Sequence, residues 1–390
     1  MRWIAVLFGV LLAGCSAQAP LGLRGTGDLG IVIERASGRV AIVDTSARSV
    51  LARVEGLGDL SHASAVFSRD GRYAYVFGRD GGLTKVDLLL ARIDRRVIQA
   101  GNSIGGAISQ DGRLVVAQNY EPGGIKAFDA ATLELAADVP AAYGDAGKRS
   151  KVVGLADLPG NRFAYALFDA GEIRVTDLSD PARPKTATYP AGTQPYDGLV
   201  TPDGRHFLAG LFGEDGVAML DTWQPELGAR KILADYGRGQ EKLPVFKMPH
   251  LRGWAVAGRK AYLPAIGRHE VLVADTADWR LTRRIPVKGQ PVFVMARPDG
   301  RQVWVNFAFP DNGWVQVIDT QTGEVVQTLQ PGRAVLHMEF TPRGEAVWIS
   351  ARDDNAVVIY DTTSFARVAT LPADSPSGIF FTTRAARTGF

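Results

Sequence analysis

Short alternating runs of apolar and polar residues, each opened by the same turn, recur down this chain: SRDGRYAYV at 68–76, SQDGRLVVA at 109–117, TPDGRHFLA at 201–209, RPDGRQVWV at 297–305 and TPRGEAVWI at 341–349. A side-chain period of two predicts strands, and Asp-Gly predicts a tight turn feeding each one. A second set of strands closes on an aspartate: VAIVDT at 40–45, LTKVDL at 83–88, IKAFDA at 125–130, IRVTDL at 173–178, VAMLDT at 217–222, VLVADT at 271–276, VQVIDT at 315–320 and VVIYDT at 357–362. Weaker turns at Pro159-Gly160-Asn161 and around Gly258 fill the gaps in the first set. A unit recurring about every 40–50 residues, with several short strands and almost no helix, predicts an all-β, eight-bladed β-propeller. The first unit lacks an inner strand, and SPSGIFFT at 375–382 reads as that strand supplied from the other end. Closure by strand exchange between the N- and C-terminal segments is therefore expected, leaving no free sheet edge.

Composition narrows the picture. The chain has 390 residues, 46% of them apolar, and no Pro/Ser-rich linker divides the repeats, so residues 26–390 are read as one closed domain. The formal charge of +3 is spread without Lys/Arg blocks, which leaves nucleic acid without an electrostatic footprint. The N-terminus is a separate object: Arg2, an apolar run from Trp3 to Leu12, then Leu12-Ala13-Gly14-Cys15 has the layout of a bacterial lipoprotein signal. Residues 1–14 are read as the signal peptide and 15–25 as a tether lipidated at Cys15, with Ser16 favouring passage to the outer membrane. The expected address is periplasmic and lipid-anchored. Cys15 is the only cysteine, so disulfides and thiol chemistry are not expected in the mature protein.

In a propeller the loop entering each inner strand lies at one mouth of the central channel, and the Asp-Gly turn lies at the other end. Counting back from each turn, His62 stands eight residues before Asp70, Tyr196 seven before Asp203, His250 seven before Ala257 and His337 six before Arg343. Lys151 and Gln290 take the equivalent places in their units. Six polar or metal-capable side chains are thus expected on one rim, the way a repeat scaffold builds a binding site. His206 follows its turn directly and belongs at the opposite end, while His269 falls in a second-turn loop further out. The histidines show no His-x-x-His or His-Glu-x-x-His pair, so a zinc site is not expected; a single axial imidazole on a haem-type iron needs no such pairing. Arg79, in FGRDGG at 77–82, occupies the second turn of His62's own unit and shares its face, where a guanidinium suits carboxylates. No GxSxG elbow, Walker or Rossmann glycine pattern stands in a strand-to-helix context.

The stretch GDLSHASAVFSRDGRYAYVFGRDGGLTKVDL at 58–88 resembles the haem d1 domain of cytochrome cd1 nitrite reductase, joining a histidine, a Gly-Arg-Tyr turn and a Gly-Arg-Asp turn in one register. The likeness continues through AFDAATLE at 127–134 and GEAVWIS at 344–350. It implies that His62 is the ligand to haem iron and Arg79 a pocket arginine. Two distal histidines of that family stand in His-Asp-Gly and Pro-His contexts; here the first reads Tyr196-Asp197-Gly198 and the second is retained as Pro249-His250. With that change and no Cys-x-x-Cys-His in the sequence, nitrite reduction is not expected. Among relatives of this propeller the chain is most similar to the NirF family of haem d1 biosynthesis.

That resemblance implies a periplasmic protein binding haem d1 or a late d1-haem precursor. Arg79 and Lys151 would meet its acidic side chains, Gln290 and His337 would complete the rim, and Tyr196 with His250 would serve as proton-transfer groups. A NirN-like protein, nitrite reductase or a small cytochrome c are the implied partners, and the membrane is met through the lipid. Two other classes stay open: a carrier that delivers the tetrapyrrole without chemistry, and an outer-membrane scaffold propeller.

Overall fold

The Asp-Gly turn joins the first and second strands of a blade, and its glycine is required there. Gly71, Gly112, Gly204, Gly300 and Gly344 all have φ between 68° and 75°, the left-handed region where a Cβ is costly. Each glycine N–H donates to the carbonyl three residues back at 2.7–2.9 Å. In the first such turn the Asp70 carboxylate accepts from the Ser68 hydroxyl and from the Arg72 N–H. The aspartates that end the third strands have a parallel use. Asp44, Asp87, Asp129, Asp177, Asp221, Asp275, Asp319 and Asp361 each accept backbone N–H groups of the turn that follows, an Asx turn that fixes the handover to the outer strand.

The computed structural model describes residues 25–145, 147–235 and 253–387. These form eight four-stranded antiparallel sheets and a small ribbon pairing Ala142–Tyr143 with Lys148–Arg149. Seven sheets are consecutive in sequence. In chain order, their inner strands are Ser64–Phe67 (blade 2), Asn102–Ile108, Val152–Leu158, Pro195–Val200, Ala255–Ala257, Pro291–Ala296 and Val335–Phe340 (blade 8). Blade 1 takes Leu29–Glu34, Arg39–Asp44 and Ser49–Val54 from the start of the domain. Its innermost strand is Pro376–Phe381, paired antiparallel to the first of these with Ile31 opposite Phe380.

The core is distributed. Eight hydrophobic clusters lie one at each interface between successive blades, which is why strands on both faces of each sheet read as apolar. Inner strands run from the mouth, where their entry loops and the second turns lie, to the base, where the Asp-Gly turns lie. At the base the first and last described segments meet: the Thr382 hydroxyl donates to the carbonyls of Thr26 and Leu29 at 2.6 and 2.9 Å. The following 3-10 turn, Thr382–Ala386, lies at the basal end of the channel. There Arg384 pairs with Glu339, its Nε donating at 3.0 Å, and Arg69 donates to the Ala385 carbonyl at 2.5 Å.

Candidate functional site

Regular inner strands would aim alternate side chains into the channel, and bulges modify that near the mouth. Pairing shifts register between Tyr196 and Leu199, between Val153 and Ala156, between Pro291 and Val294 and between Val335 and Met338. A bulge leaves a backbone N–H without its ladder partner and re-aims the residues around it. Buried polar side chains take up the loss: Asn306 accepts from the Phe293 N–H, Ser350 from His337 and Gln118 from Leu155, each at 2.8 Å. At the bulge that carries Tyr196, the buried Asp197 has φ 62° and its carboxylate accepts from the Gly198 N–H at 2.9 Å. This backbone presses on Gly154, where a Cβ would come within 2.2 Å of the Asp197 carbonyl carbon.

Tyr196 is thereby set into an aromatic wall. Its ring meets Phe168 edge-on at 5.9 Å and Phe212 at 5.8 Å, and its hydroxyl lies 3.3 Å from that of Tyr120. Burial raises both phenols above the ordinary range, Tyr120 to about 12, although the hydrogen bond with Tyr196 and the charge of Arg79 pull Tyr120 the other way. Both rings are protonated at neutral pH and hold hydrogens to donate. Lys151 lies beside this wall, its ammonium 5.4 Å from the Phe168 ring and 2.9 Å from Asp169.

Across the mouth the chemistry is cationic. Arg79 stands in the second turn of blade 2, its N–H donating to the Asp59 carbonyl at 2.8 Å, which brings it to the half-buried His62 loop. Asp59 is held below the usual carboxylate range: burial opposes this, but hydrogen bonds from Ser61 and the charges of Arg79 and Arg35 outweigh it. Arg35 is pushed down by burial and then by the neighbouring charges of Arg352 and Arg79, against the pull of Asp59 and Asp353. Three successive blades, 8, 1 and 2, therefore each place an arginine in a mouth turn. Below the mouth a cavity of about 570 Å³ follows the channel, lined by Ser64, Gln118, Asp197 and Trp254 and reaching Glu339 and Arg384 near the base. No group of three or more His, Cys, Asp or Glu able to hold a metal ion occurs among the described residues.

The residues expected on the rim divide. His62, Arg79, Lys151 and Tyr196 stand at the mouth, and Gln290 ends the entry loop of blade 7, its carbonyl accepting from Ala308. His337 is a correction: it is the third residue of its inner strand and 2% exposed. Its Nδ1 accepts from the Ile379 N–H at 2.9 Å, and its ring packs on Phe293 and Phe380. Six residues before its turn is too few to reach the loop, so the strand takes it, and His337 fastens blade 8 to the C-terminal strand of blade 1. His250 and Cys15 lie outside the described residues. His206 begins the second strand of its blade, at the base, with Nε2 3.8 Å from Asp221 and its ring edge-on to Trp279.

Sequence counting passed over Arg35, Arg352, Tyr120, Phe168 and Phe212. A signal existed for two of them: ERASG at 34–38 and ARDDN at 351–355 occupy the same second turn as the GRDGG that flagged Arg79. Phe168 and Phe212 shared only the position, directly after the second strands of blades 4 and 5, and Tyr120, inside a strand, had no signal, because strand aromatics fill blade interfaces throughout the chain.

Residues 24–385 match the cytochrome D1 heme domain family. The chain is 61% identical to the protein NirF of Pseudomonas aeruginosa over 391 aligned positions, covering 100% of this chain and 99% of that one. It is 30% identical to the dihydro-heme d1 dehydrogenase of the same organism, over 90% of this chain and 70% of that one. A solved structure described as dihydro-heme d1 dehydrogenase NirN in complex with DHE superposes with a TM-score of 0.79 at 27% identity, covering 94% of this chain and 78% of that one.

Proposed function

The chain belongs to the cytochrome D1 heme domain family and to the NirF proteins within it, and from that membership we propose that it binds a late haem d1 precursor at the channel mouth and processes it there. Membership ties the chain to haem d1 biosynthesis. The observation that carries the finer reading is the division of the mouth into an arginine arc on blades 8, 1 and 2 and an aromatic wall facing it. A tetrapyrrole with acidic side chains asks for both, since carboxylates pair with guanidinium groups and a flat macrocycle packs on aromatic and apolar surface.

In this reading Arg35, Arg79 and Arg352 hold the carboxylates and so fix which edge of the macrocycle points to which blade. His62, beside Arg79, offers an imidazole to the iron. Tyr196 and Tyr120 share one hydroxyl contact, so a ligand atom accepting from Tyr196 leaves Tyr120 to donate behind it. A neutral phenol held above its ordinary pKa keeps its hydrogen and can donate a hydrogen bond to the macrocycle, and His250 is assigned a companion role in proton transfer on sequence grounds. The address proposed is the periplasm, with lipid on Cys15.

Titration with haem d1 or its dihydro precursor tests the reading. Wild type and His206→Ala should develop a tetrapyrrole absorption spectrum, and His62→Ala should shift or lose the bands. Failure of the wild-type protein to take up either compound would overturn it.

A further inference from the structure

His62 and Arg79 belong to separate pieces of blade 2: the loop entering its inner strand, and the turn between its second strand, Tyr73–Phe77, and its third, Gly82–Asp87. The Arg79 N–H donates to the Asp59 carbonyl at 2.8 Å, and the Asp59 N–H reaches the Asp80 carboxylate at 3.4 Å. A further contact comes from the outer edge of the blade. Arg96, in the outer strand Arg92–Ile98, donates from Nε to the Leu57 carbonyl at 3.3 Å and from Nη2 to the Asp80 carboxylate at 2.5 Å. Leu57 begins the loop of His62, and Asp80 directly follows Arg79. One side chain is thereby bonded to both pieces.

The fit around this guanidinium is close. Gly58 has φ 82°, and a Cβ there would collide with Arg96 Nη2 and the Asp80 carboxylate. A Cβ on Gly82 would meet the same two groups at 2.7 and 2.8 Å. Leu57 and Leu60 are buried in the core shared by blades 1 and 2, and the Asp59 carboxylate accepts from the Ser61 N–H at 2.8 Å, which passes the constraint to the residue beside His62. Blades 4, 5 and 8 repeat part of this arrangement. Asp169, Glu214 and Asp354, in their second turns, accept from the N–H groups of Lys151, Thr193 and Arg333 in their entry loops at 2.6–2.9 Å. A turn carboxylate that receives its entry loop is therefore scaffold and needs no ligand to explain it. Blade 2 adds an arginine bonded to loop and turn at once, and blade 2 carries both His62 and Arg79.

We propose that Arg96 is a positioning residue for the tetrapyrrole site: without touching the ligand, it sets the spacing between the imidazole offered to the iron and the guanidinium offered to a carboxylate of the same macrocycle. A rigid macrocycle holds its centre and its edge groups at fixed separations. A site that meets both must order both on binding, unless their spacing is set beforehand. Arg96 also neutralises Asp80, which would otherwise compete with the ligand for the adjacent Arg79. The role rests on the reading that His62 and Arg79 meet the macrocycle; the bonding of loop to turn by Arg96 does not.

Absorbance titration of the full protein with haem d1 tests the role. Arg96→Met, which loses both bonds and keeps most of the stem, should bind about ten-fold more weakly than wild type and shift the bands of the bound compound, as a displaced axial imidazole does. Arg96→Lys keeps the charge but presents one nitrogen in place of two, so it should still bind about three-fold more weakly. Wild-type affinity and bands in both variants overturn the proposal. So does a ten-fold loss, about the size seen in the wild-type background, when Arg96→Met is added to the double variant His62→Ala with Arg79→Ala; a residue acting only through those two should then cost less than about two-fold. If wild type takes up no haem d1, or His62→Ala takes it up as wild type does, the reading of the mouth fails instead. Hydrogen exchange of the ligand-free protein then decides the brace alone: in Arg96→Met the segments 57–62 and 78–82 should both exchange about ten-fold faster, with the other blades unchanged. Acceleration of one segment without the other, of neither, or of all blades alike refutes it.

Discussion

Replacing His337 with asparagine should flatten the acid dependence of the propeller's stability. The imidazole is buried in the seam between blade 8 and the C-terminal strand, where Nδ1 accepts the Ile379 N–H. Burial drives its pKa well below the ordinary value, and the nearby charge of Arg384 adds to the shift. The folded protein therefore keeps this ring neutral, while the unfolded chain protonates it below about pH 6.5. A group that binds more protons unfolded than folded makes stability rise with pH, by up to about 1.4 kcal/mol per pH unit. His337 accordingly contributes nothing to the slope above about pH 7 and weakens the fold by roughly 2 kcal/mol between about pH 6.5 and pH 5. Asparagine can keep an acceptor for the Ile379 N–H and does not titrate. It loses the ring's contacts with Phe293 and Phe380, which should cost about 2 kcal/mol at every pH. The assay is urea unfolding followed by tryptophan fluorescence at several pH values from about 5 to 7.5. His206, also lowered chiefly by burial, adds to the slope of both proteins and cancels in the difference. The reasoning fails if the two proteins lose stability in parallel as the pH falls, or if His337→Asn alters the spectrum of bound tetrapyrrole, which would place the ring at the ligand after all.

Three further outcomes are expected. Arg35→Ala and Arg352→Ala should each weaken binding of haem d1 about ten-fold, the loss of roughly 1.4 kcal/mol from a charge-assisted contact, measured by absorbance titration; unchanged affinity in both would remove the arginine arc from the site. Tyr196→Phe should bind the tetrapyrrole within a few-fold of wild type yet lower the haem d1 yield of cells if Tyr196 supplies a proton. An unaffected yield would favour a carrier that performs no chemistry. Gly154→Ala should destabilise the protein by about 3 kcal/mol or more, because φ is 64° and the new Cβ meets the Asp197 backbone at 2.2 Å; thermal unfolding near the wild-type temperature would show that the bulge beneath Tyr196 yields easily.

Much of the fold was legible because its determinants are local. The Asp-Gly turns have to fall where φ is positive, as at Gly71 and Gly204, and the aspartates ending the third strands cap the turns that follow them within three residues. Such features repeat in sequence as they repeat in space. The site was legible only in part. Arg79 and His62 stood in recognisable turn and loop positions, and Lys151 and Tyr196 fell at the mouth as counted. His337 did not, since a count of six from its turn lands inside the strand and burial then decides its chemistry. Tyr120 and Tyr196 are 76 residues apart in sequence, and nothing near either announces their contact.

The sequence by itself determined the repeat, the turn chemistry and the kinship written into residues 58–88. These depend on neighbours along the chain. Only the tertiary structure decided that Arg35, Arg79 and Arg352 come from three adjacent blades to one arc, and that a bulge turns Tyr196 into an aromatic wall. The physical reason is that a ring of blades converts positions far apart in sequence into neighbours around an axis, and charge and burial act through that distance.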